Sequence, residues 1–105
     1  MNMTCLSREE AYRRILEVEV QIRALGVRRL ALFGSVLRDE ARSDSDVDLL
    51  VQFDMHSKTF RHFLALSELL EDALEHRVEL VTTEALSPFF GPHILAEARD
   101  VRRAA

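Results

Sequence analysis

Asp46 and Asp48 open an otherwise apolar run that continues to Val51. Side chains alternate between the two faces of a β-strand, so these carboxylates are predicted to share one face. Two like charges side by side contribute nothing to folding, because they repel each other. A divalent cation that prefers oxygen ligands, such as Mg²⁺, would turn this repulsion into attraction. The pair therefore predicts a metal site at the head of a strand.

Gly34 and Ser35 follow a second apolar run, Leu30–Phe33, and precede Asp46 by a ten-residue connection. Gly34 permits a tight turn and a close approach of the backbone, and Ser35 offers a hydroxyl and an N–H at a predicted helix start. A phosphate-binding turn beside a metal site is suited to phosphoryl or nucleotidyl transfer. A solvated acidic turn would explain the aspartates alone, but not the Gly-Ser pair at this distance.

The spacing G-S-x10-D-x-D resembles that of the DNA polymerase β-like nucleotidyltransferase superfamily, and the stretch from about Val27 to Val101 resembles its minimal nucleotidyltransferases. The resemblance implies an α/β fold of the polymerase β-like type, with a small, mixed, three-stranded core sheet covered by helices. It also implies that Gly34 and Ser35 bind the nucleotide phosphates and that two Mg²⁺ ions bind at Asp46, Asp48 and a third carboxylate.

The stretch Arg77–Thr82 predicts a third strand, in which Glu79 stands between apolar residues. A carboxylate inside an apolar strand is costly to bury unless it is paired or binds a metal. The resembled family commonly has an Asp at this position, so the resemblance implies that Glu79 is the third metal ligand. The alternative is a glutamate on an edge strand that faces solvent. If the second and third strands are neighbours, Glu79 can share a face with Asp46 and Asp48.

The resemblance further implies transfer of AMP from ATP to a tyrosine of a cognate HEPN-domain toxin, so that the chain acts as the antitoxin of a toxin–antitoxin pair. Two alternatives remain open. The first is an antitoxin that neutralises its partner by binding alone, because Glu79 replaces the usual Asp. The second is a nucleotidyltransferase for small molecules, although such enzymes usually carry an additional helical domain, for which this chain has no room.

Length and composition favour a single domain over residues 1–105, with residues 1–6 loosely held. The chain is 48% hydrophobic and 30% charged, as is usual for globular domains. Its net charge of −4 disfavours binding of extended nucleic acid. Cys5 is the single cysteine, which excludes an internal disulfide and favours the reducing cytoplasm. No apolar run reaches the ~18 residues that span a bilayer and no leader is evident, so no membrane association is expected.

Apolar periodicity predicts the element order α-β-turn-β-α-β-α. A helix is predicted from Ser7 to Gly26, and Ser7 and Glu10 have the spacing of a reciprocal capping box. Two strands, Val27–Phe33 and Val47–Phe53, flank a short helical turn over Ser35–Arg38. Within the connection, Arg38 can contact phosphate or a neighbouring acid, and Arg42 is predicted to pair with an acid.

Two further helices complete the prediction. One begins at Ser57 or Thr59, ends near Glu75, and has a buried side formed by Phe60, Phe63, Leu64, Leu66, Ser67, Leu70 and Leu74. The other follows Gly91-Pro92, with Glu97 outside and an apolar face formed by Ile94, Leu95, Ala98 and Val101. At least one of Phe89 and Phe90 is expected to cover the core.

Overall fold

The computed structural model describes residues 5–54, 56, 59–86 and 91–101. Its strands are β1 (Val27–Phe33), β2 (Val47–Phe53), β3 (Val78–Thr82) and β4 (Arg99–Asp100). They form one sheet in the order β3-β2-β1-β4, in which β2 is parallel to β3 and β1 is antiparallel to both β2 and β4. The predicted mixed sheet is confirmed, with four strands rather than three.

The fourth strand replaces the end of the predicted last helix. Helix α5 (Gly91–Glu97) stops before Ala98, and Arg99 and Asp100 pair with Leu32 and Ala31 of β1. The exposed edge of β1 offers unpaired backbone groups, and a chain that lies beside it satisfies them. The Val101 N–H donates to the Leu30 carbonyl at 3.0 Å. The prediction of a helix through Val101 was therefore wrong, although Val101 is buried.

Two helices stand where one was predicted: α1 (Arg8–Leu16) and α2 (Glu19–Ala24). The break falls at Val18, whose N–H bonds to the Ile15 carbonyl three residues back. The nearby β-branched residues, Val18 and Val20, favour helix less than unbranched side chains do. The predicted apolar face nevertheless persists across the break, because its residues pack into the core (Ala11, Ile15, Val18, Ile22 and Leu25).

The predicted cap of the first helix is half confirmed. Ser7 Oγ accepts the Glu10 N–H at 3.1 Å. The Glu10 carboxylate, however, accepts from the side chains of Arg13 and Arg14 on the same helix. These two guanidinium groups lower the pKa of Glu10 to about 2. Charged donors one turn away form stronger hydrogen bonds than a backbone N–H would.

Helix α3 is the short turn Gly34–Leu37, and α4 (Phe60–Leu74) begins at the predicted cap, Thr59. Leu66, Leu70 and Leu74 of α4 are fully buried. Phe60 and Leu64 were predicted to be buried but are 77% and 46% exposed. Phe60 is the first residue of the helix and Leu64 lies one turn further on, and neither belongs to the buried stripe. Within the described ranges, no helix is long and apolar enough to cross a membrane.

The larger core lies between the sheet and helices α1, α2 and α4. Leu6, predicted to be loosely held, is buried in this core. A smaller cluster on the opposite sheet face contains Ala31, Phe33, Leu50 and Ala98. Because Asp48 alternates with Leu49, it lies on the same face as Leu50, and the candidate site belongs to this second face. Phe89 and Phe90 are outside the described residues.

Candidate active site

Gly34 brings the backbone directly against the second predicted metal ligand. It lies where β1 becomes α3, at a φ of +78°, in the left-handed region that favours glycine. A Cβ at this position would lie 2.1 Å from Asp48 Oδ2, far inside a normal contact. Both the backbone angle and the space therefore require glycine here, and the Gly34 turn and the Asp48 carboxylate form one local site.

Asp48 and Glu79 are brought together by the register of the sheet. Asp48 pairs with Phe33 of β1 on one side and with Glu79 of β3 on the other. Residues in register on neighbouring strands point to the same face, so the two carboxylates share it. Glu79 is exposed on an edge strand, whereas Asp48 is half-buried. The strands β2 and β3 are therefore neighbours, as is required for Glu79 to share a face with the carboxylate of β2.

The electrostatics of the site centre on Asp48. Burial, followed by the negative charges of Glu79 and Asp46, raises the pKa of Asp48 from 3.8 to about 6. Arg38 acts in the opposite direction, and Glu97 adds a smaller raising contribution. A half-buried carboxyl group among like charges is stabilised by a proton or by a metal cation.

The donor chemistry of Asp46, Asp48 and Glu79 fits a hard cation such as Mg²⁺, since all three supply carboxylate oxygens. As the side chains stand, Asp46 Oδ1 accepts from Arg77 Nε at 3.3 Å. Among the residues that the structure describes, no three acidic, histidine or cysteine side chains form a ready-made metal site. The Arg77 side chain is 82% exposed, and an ion pair of this kind contributes little. Giving up this pair in order to bind a cation would therefore cost Asp46 little.

Arg38 and Glu97 complete the site from the side of the turn. Glu97 Oε1 accepts the Gly34 N–H at 3.2 Å, and Oε2 accepts from Arg38 Nη1. Arg38 Nε also donates to Glu40 at 3.0 Å. These contacts, above all the one with Arg38, lower the pKa of Glu97. Sequence reasoning placed Glu97 on an outer helix face, because no local pattern reports a contact between residues 63 positions apart.

Comparison with known proteins shows to which family the chain is similar. The model of the nucleotidyltransferase domain family matches residues 11–101. The protein adenylyltransferase MntA of Thermococcus cleftensis is 42% identical over 72 residues, which are 69% of this chain and 72% of that protein. A solved minimal nucleotidyltransferase superposes with a TM-score of 0.79 at 36% identity, covering 90% of this chain and 95% of that one.

A structural neighbour of lower identity comes from a solved complex. It is the structure of a tri-AMPylated HEPN toxin of Shewanella oneidensis with its MNT antitoxin, with a TM-score of 0.64 at 18% identity. The match covers 92% of this chain and 73% of that chain, and at this identity it is a likeness of fold. Since the family model spans residues 11–101, which are most of the sequence, the chain belongs to the nucleotidyltransferase domain family.

Proposed function

We propose that the chain transfers AMP from ATP to a tyrosine of a cognate HEPN-domain toxin, and so acts as the antitoxin of the pair. The observation that carries the proposal is the close approach of the Gly34 backbone to Asp48, with Glu79 in register beside it. This arrangement offers a site for phosphate next to a site for a cation. The relative named a protein adenylyltransferase supports the acceptor class, and the neighbour seen with an AMPylated HEPN toxin supports the partner.

In this proposal Asp46, Asp48 and Glu79 would hold two Mg²⁺ ions, and Gly34 and Ser35 would bind the β- and γ-phosphates. When bound, the ions would supply positive charge that favours the deprotonated acceptor hydroxyl and neutralises pyrophosphate. The tyrosine oxygen forms a bond to the α-phosphorus, the bond between that phosphorus and the bridging oxygen breaks, and pyrophosphate leaves. The phenol proton leaves to the solvent, to which the site is open on the side of the exposed Glu79.

The overall charge and composition support a protein acceptor inside the cell. The net charge of −4 suits a folded partner better than a nucleic-acid backbone. A single cysteine agrees with the reducing cytoplasm, where we place the reaction.

The test is the transfer of label from α-labelled ATP to the purified partner. Asp48→Asn should reduce transfer by at least about 100-fold, because several kcal/mol of charge stabilisation are lost. Glu79→Gln should reduce transfer severely, whereas Glu79→Asp, which keeps the carboxylate and shortens the side chain by one methylene, should retain substantial activity. Glu68→Gln, a change of an exposed acid on α4, is the matched control.

Transfer at the parental rate in Asp48→Asn would show that Asp48 is not a catalytic residue. Parental transfer in Glu79→Gln would instead identify Glu79 as a solvent-facing strand residue and leave the site with two carboxylates. If the parent protein protects against the toxin without any label transfer, the chain is an antitoxin that acts by contact alone.

A further inference from the structure

The Glu97 carboxylate occupies two donors of the predicted phosphate site at once. Its two oxygens accept from the Gly34 backbone N–H and from the Arg38 guanidinium. The first of these donors belongs to the turn assigned to the nucleotide phosphates, and the second is a cation one helical turn further on. An internal anion therefore stands where a phosphate oxygen would make the same contacts.

We propose that Glu97 is an internal competitor of the nucleotide, which a triphosphate must displace from the Gly34 N–H and from Arg38 in order to bind. This inference rests on the proposed function, because it assumes that the Gly34 turn holds phosphate. Glu97 and a phosphate exclude each other from these donors. One N–H cannot be fully shared by two anions, and a phosphate brought close to a carboxylate is repelled by it.

The fold provides a place for the displaced side chain. An open cavity of about 580 Å³ adjoins Glu97, and the charged residues Arg8, Arg99 and Asp100 are among those that line it. Arg99 already acts on Glu97, since its charge contributes to lowering the pKa of that carboxyl. The side chain is only partly exposed and lies at the last residue of α5, so rotation about its own bonds moves the carboxylate without unfolding the helix.

Displacement has a cost that lowers the affinity for nucleotide. Binding must break two hydrogen bonds to a charged acceptor, and the pair with Arg38 is among them. Until a triphosphate arrives, Glu97 keeps Arg38 and the Gly34 turn in place. Glu97 thereby raises the nucleotide concentration at which half of the sites are occupied.

The experiment is a calorimetric titration of the full chain, without its partner, with AMP-PNP in the presence of Mg²⁺. Glu97→Gln removes the negative charge and keeps the shape, so its Kd should be about fivefold to tenfold lower than that of the parent. Glu97→Ala releases both donors and should bind at least as tightly as Glu97→Gln. Thermal unfolding of each variant verifies that it is folded.

Glu40→Gln is the matched control, because Glu40 is the other carboxylate on Arg38 but does not contact Gly34. Its Kd should change by less than about twofold, as is usual for an exposed pair. If the parent binds and both Glu97 variants bind equally or more weakly, Glu97 positions the turn and the competitor model is wrong. If neither the parent nor the variants bind AMP-PNP, the proposed function is wrong, and so is the competitor model that rests on it.

Discussion

The carboxyl group of Asp48 is held between the Gly34 backbone and the Glu79 side chain, in a position that costs the folded protein free energy. Burial and two like charges raise its pKa to about 6. The sheet register enforces this position, since Asp48 is paired on both sides. A cost of this kind is typical of residues retained for a site rather than for stability.

The pH dependence of unfolding should report this cost directly. An aspartate in the unfolded chain titrates near 3.8, whereas Asp48 in the folded protein titrates near 6. The folded state thus binds the proton more tightly and loses stability as the pH rises from about 4 through 6. Without metal, Asp48→Asn should be more stable than the parent by about 1 kcal/mol at neutral pH, after an allowance for solvent screening.

Thermal melts in a chelator at about pH 4 and about pH 7.5 measure this difference. The gain should be present at the higher pH and absent at the lower one. Asp72→Asn, which alters an exposed acid on α4, controls for the loss of one negative charge. A gain of equal size at both pH values would show that the substitution acts through packing instead.

Among the elements, α4 does most to place the site, because it carries the chain from β2 to the parallel strand β3. Thr59 Oγ1 accepts the His62 N–H at 3.2 Å and begins the helix. Glu75 ends it in a left-handed conformation, at a φ of 57°. Leu66, Leu70 and Leu74 pack its inner face against the sheet.

Two identical substitutions on α4 should therefore differ sharply in effect. Leu70→Ala empties a fully buried position and should lower the free energy of unfolding by about 2–5 kcal/mol. Leu64→Ala alters a side chain that is 46% exposed and should cost less than about 1 kcal/mol. Urea denaturation of both variants is the measurement. Equal losses would mean that the outer flank of the helix is covered in solution.

At the scale of the whole molecule, one face of the sheet packs the main core and the other carries the candidate site. The larger core against α1, α2 and α4 supplies the stability, and the smaller cluster beneath α5 leaves room for the carboxylates. A ligand that binds only the folded site stabilises the entire domain by mass action. Binding and unfolding of this chain are therefore linked.

Mg²⁺ together with ATP should raise the melting temperature of the chain. At about 100 times Kd the gain is roughly 2.7 kcal/mol, which corresponds to several degrees for a domain of this size. The measurement is a thermal melt with and without Mg²⁺-ATP, and Asp48→Asn should lose most of the shift. A parental melting curve that does not move at millimolar ligand would favour the antitoxin that acts by contact alone.

The local sequence pattern alone was enough to predict those parts of the site that lie within one secondary-structure element. The bounds of β1 and β2, the Gly34 turn, and the placement of Asp46 and Asp48 at the head of β2 follow from apolar runs and from glycine chemistry. These signals act over a few residues, and the backbone geometry that they specify depends little on the rest of the chain. The resemblance to a family added the mixed sheet, which periodicity cannot supply.

Tertiary structure decided what depends on pairing between distant segments. The register of Asp48 with Glu79, the Asp46–Arg77 pair and the strand Arg99–Asp100 each require one element to meet another. The same is true of Glu97, whose contact with Gly34 has no trace in the helical pattern around it. A period of 2 or 3.6 tells which face a side chain takes, but the partner on that face is chosen by the packing of the whole chain.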